Sequence, residues 1–268
     1  MSDDTRAPSG PPALRASLAG ARRRPVTIGM SGARVWRMTA DGRPDRYLKH
    51  ASGAQARELR EERERLAWLR GRAPVPDVEG WAEDGRGAWL LLSAVPGVMA
   101  HEAPGEVAAL VRALGEELRR IHELPIADCP FDESLDARLA RAAWNIAQGI
   151  VNVAELRAER GVEPGALLAR LAATCPGEPP GDRVFVHGDY CLPNILITPD
   201  QDGAPRVSGL LDWGRAGVSD RYRDLAIGAR SLRYNLGPGW EPLYFAASGL
   251  SAPDPERLAW YEALDELF

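Results

Sequence analysis

Alternating apolar and polar positions predict short strands in the first hundred residues. These strands are the runs VTIGM, ARVWRM and RYLKH, at residues 26–30, 33–38 and 46–50. Residues 81–95, WAEDGRGAWLLLSAV, predict a hairpin whose second strand is buried. One helix is predicted between them, over residues 54–72, with Leu59, Leu66 and Leu69 on its apolar side.

Helical periodicity dominates after Pro96-Gly97, where the break in the pattern predicts a boundary between two lobes. Helices are predicted over residues 105–122, 135–148 and 164–174. A group of strands is predicted at residues 184–197, where two strand-like runs flank a polar loop, and at residues 206–214. Because the strands come in groups, and do not alternate regularly with helices, the predicted fold class is α+β. We expect a flexible leader (1–24), a small N-terminal lobe with an antiparallel sheet and one helix (25–95), and a larger, mainly helical C-terminal lobe (96–268).

Composition narrows the class of protein further. The 268 residues are 45% hydrophobic and 26% charged, as in an ordinary globular protein, and the net charge of −5 argues against nucleic acid as the main partner. No apolar run approaches the roughly 18 residues that cross a bilayer, and the N-terminus has no signal-peptide core. Three scattered cysteines fit reduced thiols, so we expect a cytoplasmic protein without a disulfide framework or zinc site.

Lys49 is the only lysine among the 33 basic residues. An arginine-rich coding bias could have left one lysine by chance. Alternatively, the position requires a compact ammonium that the broad, planar guanidinium of arginine cannot replace. The residue itself does not decide between these two explanations.

Polar side chains gather where the later strands end. His187, Asp189 and Asn194 lie in the loop of VFVHGDYCLPNILI, residues 184–197, and Asp212 follows the apolar run that ends in LLDWG. Each one alone could be an ordinary turn residue. Together, their oxygen atoms are of the kind that magnesium prefers, with substrate phosphates completing the coordination.

This combination is typical of phosphoryl-transfer enzymes related to protein kinases, in which HGDxxxxN precedes a DxG that follows an apolar strand. The chain resembles the aminoglycoside phosphotransferases, and most of all the 3′-phosphotransferases that inactivate kanamycin and neomycin. The resemblance extends over nearly the whole chain after the leader. It includes the segments IGMSGARVW, RYLKH, EERERLAWL, LLLSAVPG, IHELPIADCPFD, HGDYCLPNILI, GLLDWGRAGVSDRYRDLAIGAR and YEALDELF.

The resemblance implies a two-lobed, protein-kinase-like fold and a nucleotide site in its smaller lobe. Lys49 would contact the phosphates, held by Glu62 of the following helix, although Glu58, Glu61 and Glu64 are close alternatives. Ser31, in the loop at residues 29–33, would donate to the β- and γ-phosphates. Tyr47 would stack on adenine unless it is a core aromatic, and the backbone at Ser93 and Val95 would bind the base.

The same resemblance implies the catalytic and metal-binding roles. Asp189 would orient the acceptor hydroxyl and take its proton, and Asn194 and Asp212 would hold paired magnesium ions. His187 is expected to hold the loop and not to act as a base.

The resemblance also implies an acidic acceptor site, because an aminoglycoside carries several ammonium groups. The substrate-binding residues would be Asp189, Glu155, Glu159, Arg215, Arg230, Asp265, Glu266 and the terminal carboxylate of Phe268. The segment before HGD often contains more acids in relatives, whereas here only Glu155 and Glu159 remain, which leaves the range of acceptors open.

The expected activity is therefore transfer of the γ-phosphate of ATP, or of GTP, to an aminoglycoside hydroxyl, most of all the 3′-hydroxyl, giving antibiotic resistance. The expected partner is this small molecule, and the chain is expected to be a monomer or weak dimer. A streptomycin 3″-type enzyme, or a choline, homoserine or sugar kinase, would carry the same motifs. A non-catalytic nucleotide-binding module is a further alternative.

Overall fold

The chain divides into two units along a boundary that is not contiguous in sequence. The computed structural model describes residues 11–26 and 33–268. The first unit contains the described residues up to Gly97 together with Ser208–Gly214, and the second contains Val98–Val207 and Arg215–Phe268. The sequence pattern predicted each lobe as one continuous range. The difference matters because the returning segment brings Asp212 into the first unit.

A five-stranded sheet, in the order β1-β2-β3-β5-β4, forms most of the first unit, and neighbouring strands are antiparallel. The elements of the first unit up to Ser93 are α1 (Arg15–Leu18), β1 (Arg22–Val26), β2 (Arg34–Ala40), β3 (Arg43–Ala51), α2 (Ala56–Leu69), β4 (Val78–Asp84) and β5 (Gly87–Ser93). This arrangement confirms the small antiparallel sheet with one long helix.

The two faces of strand β3 have different surroundings, because successive side chains of a strand point to opposite faces. Leu48 points into an apolar cluster that contains Trp36, Met38, Trp89 and Leu91. Lys49 and Tyr47 are two residues apart and therefore share the opposite face. The sheet thus carries a lysine and a half-buried tyrosine together on one side.

The expected flexible leader, residues 1–24, differs from the structure over residues 11–24. Pro12–Leu14 and α1 form a short helical segment, and β1 already begins at Arg22. Leu14 and Leu18 are 3% and 6% exposed because they pack into the apolar cluster of the sheet. Burial of these two leucines is what orders the segment.

Helices make up most of the second unit. They are α3 (Val107–His122), α4 (Leu135–Gln148), α5 (Val153–Arg160), α6 (Pro164–Ala173), α7 (Tyr222–Leu236), α8 (Glu241–Ala247) and α9 (Pro255–Asp265). Its strands are β6 (Val98–Met99), β7 (Arg183–Val186), β8 (Ile195–Pro199), the first residues of β9 (Pro205–Leu210) and β10 (Gly217–Asp220). Strand β7 pairs with β10 and β6 pairs with β8, both antiparallel.

Helix α5, in the segment before HGD, was not among the predicted helices. Asn152 caps the helix by accepting a hydrogen bond from the Glu155 N–H at 3.3 Å, and Leu156 is buried in the core of the unit. The sequence does contain this cap, an asparagine with a glutamate three residues later. The predicted helices that became α3, α4 and α6 agree with the structure to within about two residues.

No helix in residues 11–26 and 33–268 is long and apolar enough to cross a membrane. The cysteines, all within these ranges, form no disulfide.

Candidate active site

Lys49 lies between two carboxylates in the first unit. Its Nζ donates to Glu62 Oε1 of helix α2 at 2.6 Å and also to Asp212 Oδ1. The side chains of Lys49 and Glu62 are 11% and 6% exposed, whereas that of Asp212 is 40% exposed. The ammonium is therefore fixed from the helix and reaches a carboxylate that is open to solvent.

The charge of Lys49 is stabilised by its surroundings. Burial alone would lower the pKa of its ammonium, but the attraction of Asp212 and then Glu62 outweighs burial and raises the pKa. Burial raises the pKa of Glu62, and Lys49 only partly offsets this. Glu62 is therefore harder to ionise than an ordinary glutamate, even with the ammonium of Lys49 beside it.

Asp212 has a backbone conformation that residues other than glycine usually avoid. Its φ of 59° is the only positive φ at a non-glycine position in the described part of the chain. Such a conformation is held only where surrounding contacts enforce it, and it is concentrated at functional sites. This observation favours a functional role for Asp212 over that of an ordinary turn residue.

The backbone N–H groups of the link after β5 differ in whether they are already hydrogen-bonded. The Ser93 N–H and Oγ bond to the backbone of Asp77 at 2.9 Å, and the Ala94 N–H donates to the Asp45 carbonyl at 3.1 Å. In the described residues, the Val95 N–H makes no hydrogen bond. Of the two link residues predicted to bind the base, Val95 therefore has the available N–H, whereas the N–H and hydroxyl of Ser93 are already engaged.

Tyr47 lies on the Lys49 face of the sheet. It is half-buried opposite Leu92 of β5 and is not part of the Leu48 cluster. A side chain in this position could cover a flat ring. Ser31, the predicted phosphate donor, lies outside the described residues.

The second unit fixes the turn at residues 187–189 through its backbone. The N–H groups of His187 and Gly188 donate to the two oxygens of Asp224, both at 2.7 Å, and the Asp189 N–H donates to His187 Nδ1 at 3.2 Å. His187 is fully buried, as a structural role would require. Gly188 has a φ of 83°, and a Cβ there would overlap the Arg215 carbonyl oxygen, so only glycine fits.

Asn194 holds the carboxylate of Asp189. Its Nδ2 donates to Asp189 Oδ2 at 3.0 Å and to the Asp189 carbonyl at 3.1 Å. The Cys191 N–H donates to the same carbonyl at 2.9 Å. The orientation of the Asp189 carboxylate is thus set by a neighbour that is itself only 8% exposed.

Asp224, which holds this turn, was not predicted from the sequence. It is fully buried on α7, where it also contacts His122 Nε2 at 3.2 Å. Burial would raise the pKa of Asp224, but the hydrogen bond and charge of His122 outweigh this and lower it. An acidic residue inside the apolar run YRDLAIGA was the available signal, because an ionised group is rarely buried without partners.

The chain's last residues form an acidic cluster that is paired with arginines. Arg230 of α7 bonds to Asp265 and lies 3.3 Å from Glu266 Oε1, which also accepts from Arg160 at 3.2 Å. Burial raises the pKa of Glu266 and the charge of Glu159 adds to this, whereas Arg160 and Arg230 lower it. The structure thus brings together four predicted residues, and Arg160, which was not predicted.

The remaining predicted acceptor residues have separate contacts. Glu155 Oε2 accepts from Asn152 Nδ2 at 2.7 Å, within the cap of α5. The Phe268 ring lies under two guanidinium groups, with Arg138 at 3.4 Å and Arg215 at 5.6 Å from its centre. Arg138 was also not predicted.

The oxygen donors of Asn194 and Asp212 fit magnesium. Both Asn194 hydrogen bonds come from Nδ2, which leaves its carbonyl oxygen as a possible ligand. Asp212 supplies a carboxylate, and few protein ligands are needed when phosphates contribute.

A buried lysine between two carboxylates and an aspartate oriented by an asparagine are the features expected of a phosphotransferase. The sequence model of the family described as "Phosphotransferase enzyme family" (APH) matches residues 22–261 of this chain. The chain belongs to this family, as its sequence motifs indicated.

Its relatives are enzymes named for antibiotics. An aminoglycoside 3′-phosphotransferase of Streptomyces fradiae is 41% identical over 91% of this chain and 94% of that protein. A streptomycin 3″-kinase of Streptomyces griseus is 40% identical over 90% of each.

Two solved structures support the same assignment. The aminoglycoside 3′-phosphotransferase of type VIII has a TM-score of 0.84 at 37% identity and covers 96% of this chain and 97% of that one. The aminoglycoside phosphotransferase APH(3″)-Id of Streptomyces rimosus, in complex with ADP and streptomycin, has a TM-score of 0.77 at 34% identity. That similarity covers 95% of this chain and 96% of that one. The kinase-like fold class is thereby confirmed.

Proposed function

We propose that this chain transfers the γ-phosphate of ATP to a hydroxyl of an aminoglycoside antibiotic, with the 3′-hydroxyl as the acceptor. The observation that carries the chemistry is the buried Lys49 held between Glu62 and Asp212. The acceptor class is supported by the relatives named for aminoglycosides and by the acids at the chain's last residues. Inactivation of the drug by this modification would confer resistance.

The first unit would bind the nucleotide. The Val95 N–H offers a donor to the base, and Tyr47 would cover its ring. The Lys49 ammonium would contact phosphate oxygens, oriented by Glu62, while Ser31 would donate to the terminal phosphates. A lysine suits this position because a small point charge fits among several phosphate oxygens.

Asp189 would act on the acceptor. The hydroxyl oxygen forms the new bond to the γ-phosphorus as the bond from that phosphorus to the β-phosphate oxygen breaks, and the hydroxyl proton passes to the Asp189 carboxylate. Asn194 keeps that carboxylate in one orientation. Magnesium, held by Asn194 and Asp212, would neutralise charge on the phosphates.

Charge complementarity would hold the acceptor. Asp265, Glu266 and Glu159 present carboxylates to ammonium groups, with Arg230 organising the first two. Arg215 would support the same region through Phe268. The capping contact of Glu155 favours a structural contribution from that residue.

The test is direct product analysis. Purified protein is incubated with magnesium, ATP or GTP, and a panel of kanamycin, neomycin, streptomycin, choline, homoserine and simple sugars. We expect ADP release and one added phosphoryl group on kanamycin or neomycin, which NMR would locate at the 3′-hydroxyl. Turnover of only a neutral metabolite or choline would contradict the proposal, and nucleotide binding without turnover of any acceptor would indicate a non-catalytic module.

Phosphorylation of streptomycin at its 3″-hydroxyl is the second candidate. It is favoured by the streptomycin 3″-kinase, which is almost as similar as the 3′-phosphotransferase. Arg160 and Arg230 partly neutralise the acidic cluster, which would also suit an acceptor whose binding depends less on ammonium groups. The same NMR assignment distinguishes the two positions.

We also propose a cytoplasmic enzyme that works as a monomer or weak dimer, without nucleic acid. ATP supply and reduced cysteines fit that compartment. Fractionation of the producing cells and analytical ultracentrifugation test these two points.

A further inference from the structure

Arg223 precedes Asp224 on α7 and binds the same catalytic turn from its other side. Its Nη2 donates to the Gly188 carbonyl at 3.0 Å, and its Nη1 donates to Glu133 Oε2 at 3.3 Å. The Gly188 carbonyl belongs to the peptide bond that joins Gly188 to Asp189. The N–H of this same peptide is held by His187 Nδ1. Both polar ends of the peptide that carries Asp189 are therefore fixed.

Glu133 is itself fixed by its neighbours, so it can hold Arg223 in place. The Glu133 N–H donates to the Val218 carbonyl at 3.0 Å, which attaches it to β10, the partner strand of β7. Its Oε2 accepts a second charged hydrogen bond from Arg138 at 3.0 Å. Arg138 in turn packs on the Phe268 ring.

Arg138, Arg223 and Glu133 form a network of two positive charges and one negative charge, and all three side chains are buried. Arg138, Arg223 and Glu133 are 4%, 4% and 6% exposed. Burial and the nearby charge of Arg223 lower the pKa of Arg138. A buried group of this kind is weak support for stability, because replacing it with apolar residues is often neutral or stabilising. A role in positioning accounts better for its presence.

We infer that Arg223 is a positioning residue for Asp189, acting through the Gly188 carbonyl with Glu133 as its anchor. The inference rests on the proposed function in that Asp189 is taken as the residue that contacts the acceptor. The planar guanidinium of Arg223 reaches two acceptors at once, the Glu133 carboxylate and the Gly188 carbonyl, whereas a lysine ammonium reaches only one of them well. Small displacements of a reacting group lower turnover strongly.

The test compares Arg223→Lys with Arg257→Lys. Arg257 is a suitable control because it is another arginine of the second unit that bonds to two acceptors at once. Its acceptors, the carboxylates of Asp182 and Asp220, lie outside the turn. We expect Arg223→Lys to lower kcat at least about tenfold with KM for ATP within about twofold of the parent value. Arg257→Lys should lower the urea midpoint comparably and leave kcat per folded molecule unchanged.

A second readout does not depend on turnover. Hydrogen exchange at the peptide containing residues 187–190 should accelerate in Arg223→Lys and in Glu133→Gln, but not in Arg257→Lys. Unchanged kcat and unchanged exchange in a folded Arg223→Lys would overturn the inference. An inactive parent protein would instead contradict the proposed function, so the two failures are distinguishable.

Discussion

Replacing Lys49 with methionine should make the stability of the protein depend on pH in a specific way. The substitution removes the ammonium that Glu62 and Asp212 share and leaves both carboxylates behind. Breaking a buried ion pair by removing one partner costs about 3 kcal/mol or more. We take the lower limit, because the Asp212 side chain is 40% exposed and solvent screens its share.

The pH dependence comes from Glu62. Its pKa is raised by burial, and loss of Lys49 removes the charge that opposes this rise. A carboxyl whose pKa is higher in the folded chain binds protons more tightly there, so the free energy of unfolding falls as pH rises above the ordinary glutamate pKa. Each further unit of pKa rise adds about 1.4 kcal/mol to the loss. The loss in the free energy of unfolding of Lys49→Met, relative to the parent, should therefore grow between pH 5 and pH 8.

Urea unfolding followed by tryptophan fluorescence measures this difference, since Trp36 and Trp89 are buried in the same unit. The double variant Lys49→Met/Glu62→Gln is the control, because glutamine keeps the shape of the side chain without its titration. Its deficit should change little over the same range. A Lys49→Met deficit that is the same at pH 5 and pH 8 would refute the assigned coupling.

Three other substitutions give expected outcomes. Asp224→Asn replaces one of the two carboxylate oxygens that accept from the His187 and Gly188 N–H groups with an amide NH₂, which cannot accept. We therefore expect kcat to fall at least about tenfold, with KM little changed, in steady-state assays. Gly188→Ala should lose about 2 kcal/mol or more in urea unfolding, because of its positive φ and the overlap with Arg215; parental stability would contradict this. Arg160→Ala should lower KM for kanamycin by up to about fivefold by releasing Glu266, an effect that should disappear at high salt.

The part of the site that follows from sequence depends on local pattern. Glu62 is three residues after Leu59 and four before Leu66, so it falls on the apolar side of the helix, and the structure buries it at 5% exposure. Glu58, Glu61 and Glu64 do not share that combination. The resemblance assigned Glu62 as the partner of Lys49, and the helical pattern agrees with that assignment.

The positioning residues could not be predicted because their partners are distant in sequence. Arg223 meets Glu133 across 90 positions, and a chain with 33 basic and 38 acidic residues allows too many such pairs. Asp224 is marked as unusual by its place in an apolar run, but its partners are two backbone N–H groups and a histidine 102 positions away, which the sequence does not pair with it. The unpredicted order of Leu14 and Leu18 likewise depends on a sheet surface that forms only on folding.

The proposed phosphoryl transfer assigns nucleotide binding to Lys49 and the reaction at the acceptor hydroxyl to Asp189. The most direct measurement compares the parent with Asp189→Asn for both nucleotide affinity and single-turnover phosphorylation of kanamycin. From this assignment we expect an ADP affinity within about threefold of the parent and a phosphorylation rate lowered by about 10² to 10⁴. A phosphorylation rate near that of the parent would contradict it.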